Sequence, residues 1–181
     1  MSAVLRLPLC ERVWWLASAA LLATFVVMWA VSLLDRRVLD GANVWAKPMK
    51  FALSVALHLA TLALAAHFLS ADWRNGALLG VLAIASVVAA ISEVGYIAWQ
   101  AARLQASHFN VGTPFQAALY ALMAFGAVVL VAASAGVGFA AAVDGQSAFS
   151  APVRLAVSIG LIAGTGLTLI TAFRLGGNMS H

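Results

Sequence analysis

Two otherwise apolar stretches each carry a line of polar side chains at helical spacing. The first line is Lys47, Lys50, Ser54, His58 and Thr61, and the second is Glu93, Tyr96, Gln100, Arg103 and Ser107. Steps of three and four residues repeat along both lines, so each falls on one face of an α-helix. A carboxyl and an imidazole at such positions can bind or exchange a proton, and flanking ammonium and guanidinium groups can attract an anion. Ionisable groups inside a membrane are costly and suggest function by default. Gln116 and Tyr120 share a face of a later apolar stretch, and His108 and Asn110 sit in the connection before it. The candidate ligand-binding or proton-exchange set is therefore His58, Glu93, Lys50, Ser54, Tyr96, Gln100, Arg103, His108, Asn110, Gln116 and Tyr120.

Each of these residues has a plainer reading. Glu93 can fix helix register through Lys50 or Arg103, and His58 can be a neutral core histidine bonded to a hydroxyl. Lys47, Lys50 and Arg103 can snorkel to headgroups from near helix ends. Tyr96 and Tyr120 can be wall residues, while His108 and Asn110 can close a turn. His67 lies on the opposite helical face from His58 and is assigned no role, as is His181. What sets the group apart is convergence. Two regular stripes on consecutive helices avoid lipid most cheaply by facing each other.

The elements that must position these residues are membrane helices. Hydrophobic residues make up 64% of the 181 and charged residues only 9%, and the mean hydropathy is +1.01. A soluble domain carries roughly 25% charge, so most of this surface must face lipid. A spanning helix needs about 20 mostly apolar residues. Five segments qualify, at 13–34, 49–69, 77–100, 115–143 and 152–173. The fold class is all-α: a single polytopic bundle of about five transmembrane helices, with short connections that make consecutive helices antiparallel neighbours. The first segment is longer than the apolar core of a cleaved signal peptide and is read as a retained helix.

Local chemistry marks the boundaries. Asp35, Arg36 and Arg37 stop the first helix, and Asp72 to Asn75 form a polar turn between the second and third. Thr113-Pro114-Phe115-Gln116 has the form of a capping box with proline at the first helical position. Ser150 and Pro152 play a similar part for the fifth helix. Trp14, Trp15, Trp29, Trp45, Trp73 and Trp99 fall near helix ends, where interfacial anchors belong. Gly160-xxx-Gly164 and Ser134-xxx-Gly138 mark expected helix contacts.

We call side A the face carrying the N-terminus and the second and fourth connections. It holds Arg6, Arg12, Arg74 and Arg154; side B holds Arg36, Arg37, Lys47, Lys50, Arg103 and Arg174. The positive-inside rule leans toward side B in the cytoplasm of a multi-pass protein of the inner (cytoplasmic) membrane. The lean vanishes if Lys47 and Lys50 serve the site. The polar residues gather in the half near side B, giving an expected cavity open toward side B and closed by an apolar half toward side A. His58 and Glu93 are expected to lie within direct or one-water contact.

Four functions fit this pattern. The first is binding or transport of a small polar or anionic solute, or of protons, with Lys50 and Arg103 attracting the anion. A second is a membrane-embedded enzyme acting on a quinone or isoprenoid, with Glu93 as general acid and His58 as general base. A third is a haem protein using His58 and His108, and the fourth is a structural subunit. His58, Glu93 and His108 are plausible metal-ligand types, but no spacing enforces a metal site, and neither metal nor cofactor is assigned. Cys10 is the only cysteine, so no intrachain disulfide forms. Expected partners are the lipid bilayer and a small polar or lipid-soluble ligand. No basic block points to nucleic acid, and the sequence leaves the oligomeric state open.

Overall fold

The computed structural model describes residues 4–39, 41–105 and 112–178. It contains five helices long and apolar enough to cross a membrane: α1 (Leu9–Leu34), α2 (Ala46–His67), α4 (Ala77–Ala102), α5 (Pro114–Val143) and α6 (Ala151–Asn178). The short helix α3 (Ala71–Arg74) fills the turn between α2 and α4. The protein is an all-α polytopic bundle. The bounds differ from those read in the sequence by a few residues, most at the end of α6, which runs to Asn178, and next at the start of α1, which takes in Cys10, Glu11 and Arg12.

Helices α1, α2 and α4 pack on one another, α4 and α2 both touch α5, and α5 carries α6. The core is built from small and branched residues on the facing sides, among them Ala52, Ala56, Leu59, Ala63, Ala83, Ala90, Ala133 and Val137. Alanine allows close helix approach, which is what membrane helices pack by in the absence of a hydrophobic drive between them. Helix α6 is the peripheral member. Only 6% of its most apolar stretch is buried, against 44% for α2.

The helix ends follow the expected chemistry. Thr113 Oγ1 accepts from the Gln116 backbone N–H at 3.2 Å, with Pro114 opening α5. On side B, Asp35 accepts from Arg37 Nε at 2.9 Å and from Trp45 Nε1 at 2.8 Å. Those donors, Arg37 foremost, hold the Asp35 carboxyl well below the usual carboxylate range. Arg37 Nη1 also donates to the Ala102 carbonyl at 2.9 Å, tying the first connection to the end of α4. Between them, β1 (Val38–Leu39) and β2 (Ala42–Asn43) form a two-residue antiparallel ladder. Gly41 has φ 78°, a left-handed conformation that favours glycine.

Two expectations need correcting. Trp14 is no interfacial anchor. It is fully buried and donates from Nε1 to Ser86 Oγ at 3.0 Å, because α1 starts a turn earlier than the apolar run and carries Trp14 inward. Ser86→Ala would leave the indole N–H unpaired. We expect a loss of about 0.6–1.7 kcal/mol, the range for interhelical hydrogen bonds in membranes, read as a lowered midpoint of unfolding in SDS.

The second correction concerns side A, which is not simply apolar. Glu11 is fully buried there and accepts from Arg74 Nε at 2.6 Å and from His67 Nδ1 at 2.9 Å. The Cys10 thiol donates to the Arg74 carbonyl at 3.2 Å. Nearby, the buried Asp144 carboxyl accepts from the Ser70 and Gln146 backbone N–H groups at 2.7 and 3.0 Å. These bonds fasten the start of α1 and the α5–α6 loop to the turn region between α2 and α4.

Candidate functional site

The polar stripe on α2 and Glu93 on α4 are brought together with α5 and α6 around an open cleft of about 480 Å³. Phe51, Ser54, Val55 and His58 come from α2; Ala127, Leu130, Val131 and Ser134 come from α5; Gly160, Leu161, Gly164, Thr165 and Thr168 come from α6. Glu93 reaches the cleft from α4. Helices α2 and α6 are its two walls and α5 its back. Packing between α2 and α6 is slight in comparison with that of α5 on α6, so the opening lies between two spanning helices.

Glu93 is 6% exposed, and its Oε1 is buried with no hydrogen-bond partner among the described residues. Its carboxyl has room because residue 126 is glycine. A Cβ there would stand 2.9 Å from Glu93 Oε1. The α4 stripe turns Glu93 inward because the neighbouring Ile91 and Ser92 are the exposed positions. At ~1.5 Å per residue, Glu93 lies roughly 13 Å from the side B end of α4.

His58 is half-buried, with Nε2 3.3 Å from the Leu130 carbonyl and 3.5 Å from Ser134 Oγ. A neutral ring donating from Nε2 to that carbonyl keeps its acceptor lone pair on Nδ1. His58 and Glu93 thus share one cleft, but no hydrogen bond or ion pair joins them. His58 instead satisfies itself on α5, the helix behind it. The hydroxyls of Ser54, Thr165 and Thr168 donate to carbonyls of their own helices, at 3.2, 2.8 and 2.8 Å. Their oxygens retain lone pairs for a donor from outside.

The remaining predicted residues lie elsewhere. Lys50 is exposed, and Arg103 stacks over Trp99 at 4.4 Å, a cation–π contact at the end of α4. Gln100 is buried and donates to the Tyr96 hydroxyl at 3.2 Å. Gln116 and Tyr120 are half-buried at the start of α5. None of these six lines the cleft. His108 and Asn110 lie outside the described residues.

The sequence places Thr168 of the last helix in the polar half near side B, but the candidate set drawn from it contains no α6 residue. Gly160 and Gly164 were read as helix contacts, yet no heavy atom lies within 4 Å of a Cβ built at either. They widen the cleft. The packing glycine is Gly138, whose Cβ would meet Leu161 at 2.9 Å. Among the described residues, no group of three or more His, Cys, Asp or Glu is placed to hold a metal ion. Compared with known proteins, the chain matches no family model, no curated protein and no solved structure.

Proposed function

We propose that this membrane bundle binds a small membrane-soluble molecule with a neutral polar head, of the quinone or isoprenoid-alcohol kind, in the cleft between α2 and α6. One observation carries the reading: Glu93 lines that cleft and holds a buried carboxyl oxygen with no hydrogen-bond partner among the described residues. A stranded polar atom in a low-dielectric site costs about 1–3 kcal/mol, and a bound partner removes the penalty. The head hydrogen-bonds to Glu93, with the Ser54 and Thr168 hydroxyls as further acceptors. His58, on the α2 wall and anchored to Leu130, provides the second titratable group for proton exchange with the head.

The lining also bears on charge. It contains no lysine or arginine among the described residues, which favours a neutral head over an anion. The position of the opening favours entry from the acyl phase over entry from water.

The test is chemical. The protein is purified from membranes, and its organic extract is compared with that of Glu93→Leu and Glu93→Gln by mass spectrometry. We expect a neutral amphiphile in the wild-type extract, at least tenfold less with Glu93→Leu, and intermediate retention with Glu93→Gln, which keeps shape and hydrogen bonding. Identical extracts from wild type and a folded Glu93→Leu variant would falsify the reading.

A further inference from the structure

A second, almost purely apolar cavity of about 320 Å³ continues the cleft toward side A. The two share Gly160 and Leu161, and the second adds Leu64, Phe68, Phe149 and Val157. From Ser54 to Phe68 the groove follows fourteen residues of α2, roughly 21 Å at ~1.5 Å per residue. That exceeds half of the ~30 Å hydrocarbon core. Polar side chains gather at the Glu93 end, and Thr61 is the single polar residue of the second cavity among the described residues.

Its far end is built. Phe68, at the C-terminus of α2, stacks on Phe149 of the α5–α6 loop with centroids 5.2 Å apart. The loop is held there by the Ala148 N–H, which donates to the Phe68 carbonyl at 2.8 Å, and by Asp144 on the Ser70 N–H. At the junction of the two cavities, Gly160 presents no side chain, and a Cβ there would meet nothing within 4 Å. A side chain larger than glycine would narrow the passage.

We infer that this apolar extension receives the hydrocarbon chain of the molecule whose head lies at Glu93, so the ligand is a single-chain amphiphile lying along α2 and α6, with its chain end stopped by the Phe68–Phe149 stack. The inference rests on the proposed head site and adds the chain and its direction. It sets a length limit: a chain that overruns the stack cannot seat its head.

The test uses two photoreactive sixteen-carbon alcohols in nanodiscs of defined phosphatidylcholine. One carries the diazirine beside the hydroxyl and the other at the chain end. The head-proximal probe is expected to label peptides containing Ser54 and Thr165. The chain-end probe is expected to label peptides containing Phe68 and Val157. Gly160→Leu, whose Cβ would meet nothing within 4 Å, is expected to cut chain-end labelling at least fivefold while head labelling persists. The outcomes separate the two ideas. Absence of head-proximal labelling in the cleft defeats the head site itself. Head labelling in the cleft with chain-end labelling spread over the exposed faces of α1 and α4, as ordinary bilayer chains would give, defeats the inference alone. So does unchanged chain-end labelling in Gly160→Leu.

Discussion

Replacing Arg74 with methionine is expected to cost about 3–5 kcal/mol of stability, the range for removing one partner of a buried ion pair. The asymmetry of the pair makes the test sharp. The Glu11 side chain has no exposure, whereas those of Arg74 and His67 are 23% and 54% exposed. Arg74→Met therefore leaves a carboxyl that keeps its His67 contact but is shut off from solvent. Glu11→Leu leaves the Arg74 guanidinium and the His67 ring, both of which can reach solvent, and we expect it to cost no more than about 2 kcal/mol. The double variant should recover much of the Arg74→Met loss, since replacing both members of a buried pair is often close to neutral. SDS-induced unfolding of the three variants checks the order. Equal or larger destabilisation by Glu11→Leu would show that the carboxylate is not the costly member.

Gly138→Val is expected to undock α6. Its added carbon would stand 2.9 Å from Leu161 Cβ, 3.0 Å from Ile162 Cγ1 and 3.3 Å from the Ser158 carbonyl. A Cβ and a backbone carbonyl cannot rotate away. Overpacking of this kind costs about 1–3 kcal/mol, and here it falls on the one extensive interface that holds α6. Gly136 provides the comparison, because a Cβ there meets chiefly the flexible end of Leu82. Thr165 Oγ1 donates to the Val131 carbonyl at 3.0 Å, so cysteines at 131 and 165, in a Cys10→Ser background, report α5–α6 docking by disulfide formation. Gly138→Val should lower cross-linking at least fivefold, and Gly136→Val should leave it near the parent level. Full cross-linking in Gly138→Val would show that the interface accommodates the methyl groups.

The spans were legible because hydropathy and helical period are local properties of the chain. The same holds for the inward turn of Glu93, which follows from its place on a stripe, and for the Thr113 cap, which needs only four consecutive residues. Glu11 was not legible. It stands beside Arg12 at the edge of an apolar run, where charge ordinarily means a headgroup contact. Its partners are 56 and 63 positions away, and no spacing rule reaches that far. The cleft was half-legible. Ser54 and His58 stand on a stripe that helical spacing reveals, but the other wall is α6, whose lining residues are largely glycines and threonines, which look like packing chemistry in a sequence. Whether such glycines touch a neighbour or leave a gap depends on the tilt of α6, which no local pattern encodes.

The attachment of α6 through α5 has a consequence for biogenesis. In sequence order α6 follows the other four spans, so it is the last of them to leave the ribosome. The contacts among α1, α2, α4 and α5 do not require it. A nascent chain can therefore assemble the earlier helices, close the Glu11–Arg74 bond and still present the Glu93 wall to the lateral gate of the translocation machinery. Insertion of the final segment then builds the second wall.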